Sequence, residues 1–243
     1  TLQTVADHTR APVGKKWVVD ELKYRVPSAG YGYVGAWVAV NVDPQGMGIR
    51  YVVGIRDLTA AANNSRHERL RAFARPTHGE IWIVRKDSHP SNLAVEHVDY
   101  MDASGLASEV APGGVHEGVH VAELTMMNGV PAANALLMGA PDLGEAHFHT
   151  AFVHALRAAD YMASGGHDPP TSAYMRYHSL TDWVPNPLLA YGSACKELVH
   201  PEHRDSKFNE HAVAAIYTGP AHDSVSPIHC SVYSDRYYDV DVG

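Results

Sequence analysis

The order of apolar segments predicts an α/β protein built around a mixed sheet, and three observations carry that prediction. Val-, Tyr- and Trp-rich runs alternate with turn residues early in the chain. An Ala-, Arg- and Leu-rich helical stretch then separates them from another apolar run. Two of the runs end on an aspartate.

Each element can be taken in turn. Residues 17–20, WVVD, form a short apolar run closed by Asp20, and the turn VPSAGYG follows at 26–32. YVGAWVAVNV at 33–42 and IRYVVGI at 49–55, split by DPQGMG, read as antiparallel strands. Leu58 to Arg75 favours a helix that Pro76 is expected to end. EIWIVRKD at 80–87 is the next strand and closes on Asp87; a helix over 91–103 and a short strand over 106–110 follow. After APGG at 111–114 the pattern turns helical. Val119, Ala122 and Met126 recur at three and four residues as an inward face would. His116, His120 and Glu123 share another face, since residues seven apart on a helix differ by only about 20°. A second long helix is expected from Leu143 to Ala163, opened by Pro141 and Asp142. Beyond GGHDPP at 165–170 the chain breaks into short strand-like pieces. The expected division is a linker over 1–16, a core over 17–170 and a β-rich extension over 171–243.

Composition narrows the function classes. The chain has 243 residues, 45% hydrophobic and 19% charged, enough for one full core plus a smaller appendage and too apolar for wholesale disorder. No apolar run reaches the length of a membrane span, and the first residues lack the pattern of a signal peptide. The first residue is not Met, which fits a fragment of a longer protein. Cys195 and Cys230 alone cannot build a disulfide framework, so an intracellular protein, nuclear or cytoplasmic, is the simplest expectation. Net charge is −8, and no Lys or Arg occurs from Asp87 to Leu156, although phosphate contacts normally come from those residues.

Asp20, Asp87 and Glu123 are the candidate catalytic and metal-binding residues. Two Mg²⁺ ions about 4 Å apart can drive phosphoryl transfer, and hard cations prefer carboxylate oxygens. Aspartates at strand ends are rigid; a helical glutamate has the extra methylene needed to reach across. Three acids among 27 would carry little weight alone, because strand-ending turn residues and a solvated helix residue look the same. Their spacing adds weight: 66 residues lie between Asp20 and Asp87, and 35 between Asp87 and Glu123.

That spacing resembles the D,D-35-E arrangement of retroviral and retrotransposon integrases, and the flanking text is similar to the Copia type of long-terminal-repeat element. VRKDSHPSN at 84–92 resembles the family's strand ending in Asp with its polar loop and helix. Val121-Ala122-Glu123 matches a Val-Ala-Glu segment residue by residue. LGEAHFHTAFVHALRAADYMAS at 143–164 and the turn DPPTS at 168–172 have counterparts in order. So does PNPLLAYGSACKELVHPEHRDSKFNEHAVAAIYTGP at 185–220. The resemblance implies an RNase H-like mixed five-stranded sheet flanked by helices, with a small β-rich C-terminal segment. It also implies joining of element DNA 3′ ends to target DNA, with Mg²⁺ or Mn²⁺ on Asp20, Asp87 and Glu123, and a homo-oligomer. The zinc-binding His/Cys domain that usually precedes this core has no counterpart in the sequence. Departures are concentrated at the site. Ser88-His89-Pro90 stand where the family has Asn-Gly-Gly, and Leu124-Thr125-Met126-Met127 where it has DNA-facing Arg and Asn. These departures and the missing positive charge point to a degenerate or domesticated integrase-like protein, weak or inactive in strand transfer.

Two other classes compete. His116-Glu117-Gly118-Val119-His120 is a literal H-E-x-x-H, with Glu145 a candidate third ligand, as in a zinc metallopeptidase. With 17 histidines such a match is cheap, and Gly118 weakens the helix it needs. His147 and His154, seven apart, can share a helix face, and Cys195, Cys230 and His229 could form a thiol site. The third class is a catalytically inactive assembly or interaction protein on the same fold, consistent with the acidic, Lys-poor composition.

Overall fold

The computed structural model describes residues 11–111, 120–164, 170–198, 212–220, 230–234 and 237–242. Five strands make the main sheet: β1 (Lys16–Lys23), β2 (Gly35–Asp43), β3 (Gly46–Ile55), β4 (Ile83–Lys86) and β5 (Ala107–Val110). Their spatial order is β3-β2-β1-β4-β5. The pairs β1–β2 and β2–β3 are antiparallel, and β1–β4 and β4–β5 are parallel, so the sheet is mixed as expected.

The strands are apolar almost throughout because both sheet faces are covered. Val18, Val38, Val40 and Val52 point to one face, and Trp17, Val19, Trp37, Ala39, Tyr51 and Val53 to the other, following the two-residue pleat. The first face packs under α4 (His120–Gly139) and α5 (Phe148–Asp160) through Ala122, Met126, Phe152 and Leu156. The second packs under α1 (Ala60–His78) and α3 (Val95–Ala103) through Leu70, Ala74 and Met101. A four-residue helix, α2 (Pro90–Leu93), precedes α3. Trp17 and Trp37 are completely enclosed, and Tyr177 of α6 (Ala173–Tyr177) meets Trp17 edge-on with ring centroids 6.1 Å apart.

A two-stranded ladder joins β6 (Ala163–Ser164) to β7 (Thr171–Ser172). The remaining strands, β8 (Ala194–Leu198), β9 (Ala212–Pro220), β10 (Cys230–Ser234) and β11 (Tyr237–Val242), form a separate antiparallel sheet in the order β11-β10-β9-β8. Tyr217 of β9 packs edge-on against His154 of α5. Among the described residues no helix is long and apolar enough to cross a membrane.

The helices depart from expectation at their ends. α1 runs through Pro76 to His78, because a proline in the last turn sacrifices little. Gly79, at φ 68°, then closes the helix with its N–H on the Arg75 carbonyl. The stretch 91–103 breaks at Ala94 into α2 and α3. The helix expected over 143–163 is shorter, a 3₁₀ turn over Glu145–His147 leading into α5.

Candidate active site

Asp20 sits where β1 leaves the core: residues 16–19 are buried and 20–22 only half so. It pairs across the ladder with Val38 and shares the side of Val18, facing α4. Glu21 points to the opposite face and reaches α1, where Arg66 Nη1 donates to it at 3.1 Å. β4 runs parallel to β1 and ends at Lys86, so Asp87 lies at the same edge of the sheet. Glu123 stands in the first turn of α4, which packs on β1 and β2.

Asp87 and Glu123 both lie within range of the Asp20 charge. Burial raises the Asp20 carboxyl to about 6, opposed by the Glu21 N–H that donates to Oδ1 at 2.7 Å. Asp87, Glu123 and Glu21 push the same way as burial. A carboxyl that is both desolvated and crowded by anions suits a hard, oxygen-seeking cation. Among the described residues, however, no group of three or more His, Cys, Asp or Glu side chains is gathered at ion-holding distance. The segment leading into Glu123, residues 112–119, lies outside the described residues.

Asp87 is held by its own loop. Its Oδ1 accepts the Asn92 amide at 2.7 Å and the His89 N–H at 3.2 Å. Asn92 in turn accepts from Asn63 of α1 at 2.9 Å, so a hydrogen-bond relay ties the Asp87 carboxylate to a buried helix position. The break between α2 and α3 belongs to this arrangement, since α2 carries Asn92 back toward Asp87.

Behind the relay lies a buried polar cluster that the sequence reading missed. Lys86 is almost fully enclosed, and its Nζ has no hydrogen-bond partner. Burial lowers it to about 8, with Asp87 opposing. His67 Nδ1 contacts the Asn63 carbonyl at 2.9 Å and therefore carries the proton, which leaves Nε2 a buried acceptor without a partner. Burial pushes His67 down to about 3 and His97 to about 4, so both are neutral imidazoles. The signal was available: Asn63, Arg66, His67, Leu70 and Ala74 fall at helical spacing on the inward stripe of α1, polar at the site end and apolar toward the core.

Other predicted positions do not converge. His116 and Glu117 lie outside the described residues, and His120 is exposed at the start of α4. Glu145 ion-pairs with Arg25 at 3.4 Å and lines a groove with Asn134, Leu137 and Met138. Fourteen residues of helix separate Asn134 from His120, roughly 21 Å along the axis, so Glu145 is no third ligand for His120. His147, His149 and His154 are all buried; Tyr24 bonds His149 Nδ1 at 2.6 Å, and burial lowers His154 to about 4. Cys195 is half-buried, and His229 is outside the described residues.

No protein-family model and no curated protein matches the sequence. Among solved structures, the catalytic core domain of BIV integrase aligns with a TM-score of 0.50 and 16% identity. The alignment covers 68% of this chain and 95% of that one. The fold is that of a retroviral integrase catalytic core. The HTLV-2 integrase catalytic core domain in complex with magnesium, in its trimeric form, gives 0.49 and 17% identity over 68% of this chain and 97% of that chain. At such identities the likeness speaks for the fold alone. The integrase-core fold accounts for the mixed sheet, the β3-β2-β1-β4-β5 order and the helices on both faces.

Proposed function

We propose that the chain is an integrase-like polynucleotidyl transferase of Copia-type retrotransposon ancestry, diverged at its site. Asp20, Asp87 and Glu123 would hold two Mg²⁺ or Mn²⁺ ions. A DNA 3′ hydroxyl would attack a phosphodiester of target DNA, forming a new phosphodiester as the target's own P–O3′ bond breaks and its 3′ hydroxyl leaves. The observation that supports this reading is Asp20: a desolvated carboxyl whose strongest charged neighbours include Asp87 and Glu123, all at one sheet edge of an integrase-core fold. The ions, when bound, activate the attacking oxygen and stabilise the leaving one. The protein's own part is positional. Asn92 and Asn63 fix the Asp87 carboxylate, and the Glu21 N–H fixes Asp20. The ancestry rests on Val121-Ala122-Glu123, the 35-residue interval and the ordered downstream segments. By that resemblance the protein works as a homo-oligomer on DNA, in the nucleus or cytoplasm.

The test is strand transfer with labelled duplex ends in Mg²⁺ and in Mn²⁺, alongside calorimetric metal titration of wild type, Asp87→Asn and Glu123→Gln. The expected result is metal-dependent joining that falls to background in both variants, with weakened metal binding. Wild type that neither joins DNA nor binds either metal, or joining that survives Asp87→Asn, overturns the reading.

A further inference from the structure

The stretch without Lys or Arg from Asp87 to Leu156 leaves the α4 side of the site without the cations that grip a phosphate. Positive charge is concentrated instead at the end of β3 and the start of α1. There a cavity of about 210 Å³ is lined by Arg56, Arg66 and Arg69, with Ser65, Tyr33 and Asp57. We propose that this pocket binds a backbone phosphate of DNA, beside the carboxylates of the proposed active site.

Its construction suits an added anion. Arg56 is pre-organised: Nε donates to the Tyr31 carbonyl at 3.0 Å, and the guanidinium lies over the Tyr33 ring, 5.3 Å from its centroid. The remaining guanidinium N–H groups can fork onto a phosphate. Arg66 is clamped between the Asp57 carbonyl at 2.6 Å and Glu21 at 3.1 Å, fixing one wall. The lining acid, Asp57, is partly engaged: its Oδ1 accepts both the Thr59 N–H at 3.1 Å and the Thr59 hydroxyl at 2.7 Å, while its charge also acts on Arg66. Arg66 is balanced by Glu21, so Arg56 and Arg69 supply the charge that an incoming phosphate would meet. Glu21, which holds Arg66, adjoins Asp20 on β1 but faces the other side of the sheet, so a DNA strand seated on the arginines would cross the end of β1 to reach the acids.

The inference rests on the proposed DNA-joining role for its choice of ligand, and its test works without that reaction. Fluorescence anisotropy with a labelled oligonucleotide in EDTA reads binding in the absence of metal. Arg56 and Arg69 are exposed, so Arg56→Ala and Arg69→Ala can be made without opening the core, with circular dichroism checking the fold. Each single variant is expected to weaken binding about 5- to 10-fold and to reduce the salt slope by about one. Lys196→Ala, an exposed control on β8, is expected to bind as wild type does. Inorganic phosphate is expected to compete better than chloride at matched ionic strength. Wild type that binds no DNA, a double arginine variant with unchanged affinity, or equal competition by chloride overturns the proposal. If arginine-dependent binding holds but wild type never joins strands, the pocket stands and the transferase reading falls. If strands are joined and the arginines are silent, the reverse is true.

Discussion

The two faces of the main sheet both bury apolar side chains but differ in charge where β1 leaves the core. On the α1 and α3 side stand Arg66 and Lys86, with Glu21 the one carboxylate bonded to Arg66; on the other side α4 and α5 supply Glu123 and no cation before Arg157. The contrast is set by single-residue steps. Asp20 and Glu21 are neighbours on β1, yet the pleat sends one toward two further acids and the other onto an arginine. The protein therefore keeps its acids and its arginines on opposite sides of one strand end. A substrate carrying phosphates would have to cross that strand end to meet both.

The sharpest way to break this contrast is to remove one partner of an ion pair on each side. On the α5 face Arg50 Nη1 meets Asp160 at 2.7 Å with both side chains enclosed. Asp160→Ala leaves a buried guanidinium without a partner and is expected to cost about 3–5 kcal/mol, read as a lower urea midpoint with unchanged slope. Arg50→Met combined with Asp160→Leu is expected to recover most of that loss. On the α1 face Glu21 is partly exposed and Arg66 keeps the Asp57 carbonyl, so Glu21→Gln is expected to cost only about 1 kcal/mol. Equal losses would mean that the two faces do not differ as described.

The pH dependence comes next in size. His67 has a folded value near 3 against the usual 6.5, so below 6.5 the unfolded chain binds the extra proton first. Its contribution is therefore fully present above pH 6.5 and is lost as pH falls toward 3, reaching about 2–3 kcal/mol by pH 4.5. His97 and His154 act in the same direction. Asp20 and Asp160, both raised to about 6, act oppositely: they favour folding at low pH and cease to as pH rises through 6. Urea midpoints measured from pH 7.5 to 4.5 are expected to fall, and His67→Gln is expected to flatten that fall. An unchanged profile in the variant would show that His67 takes up its proton without opening the fold.

The sheet was legible because its strands are local and double-faced: runs such as AWVAV have no competing reading once turn residues bound them. The spacing of the carboxylates was readable, but their setting only in part: Asp87 follows the end of β4 as expected, whereas β1 does not stop at Asp20 and runs on to Lys23. Glu21, Asn63, Arg66, Lys86 and Asn92 were not, because each acquires its role from a contact across elements. Asn92 matters only because α2 breaks at Ala94, and Lys86 only because α1 and α3 close over it. Long-range contacts of that kind leave no periodic trace. The histidines misled for a related reason. A His-rich chain suggests ligands or a solvated surface, whereas His67, His97, His149 and His154 serve as buried, mostly neutral core residues.

The smallest effect tests whether the arginine side depends on the start of α1. Thr59 caps that helix by accepting the Ala62 N–H at 3.2 Å, and its own hydroxyl donates to Asp57 at 2.7 Å. Thr59→Ala is expected to lose about 1 kcal/mol, or a drop in Tm of roughly 2–4 °C for a chain of this size. Thr59→Ser, which keeps the hydroxyl, is expected to restore nearly all of it. The freed Asp57 would then compete for Arg66 and Arg69, so DNA affinity should fall further than the stability loss alone explains. If stability falls and binding does not, Asp57 was already turned toward the arginines and the hydroxyl acts on the helix alone.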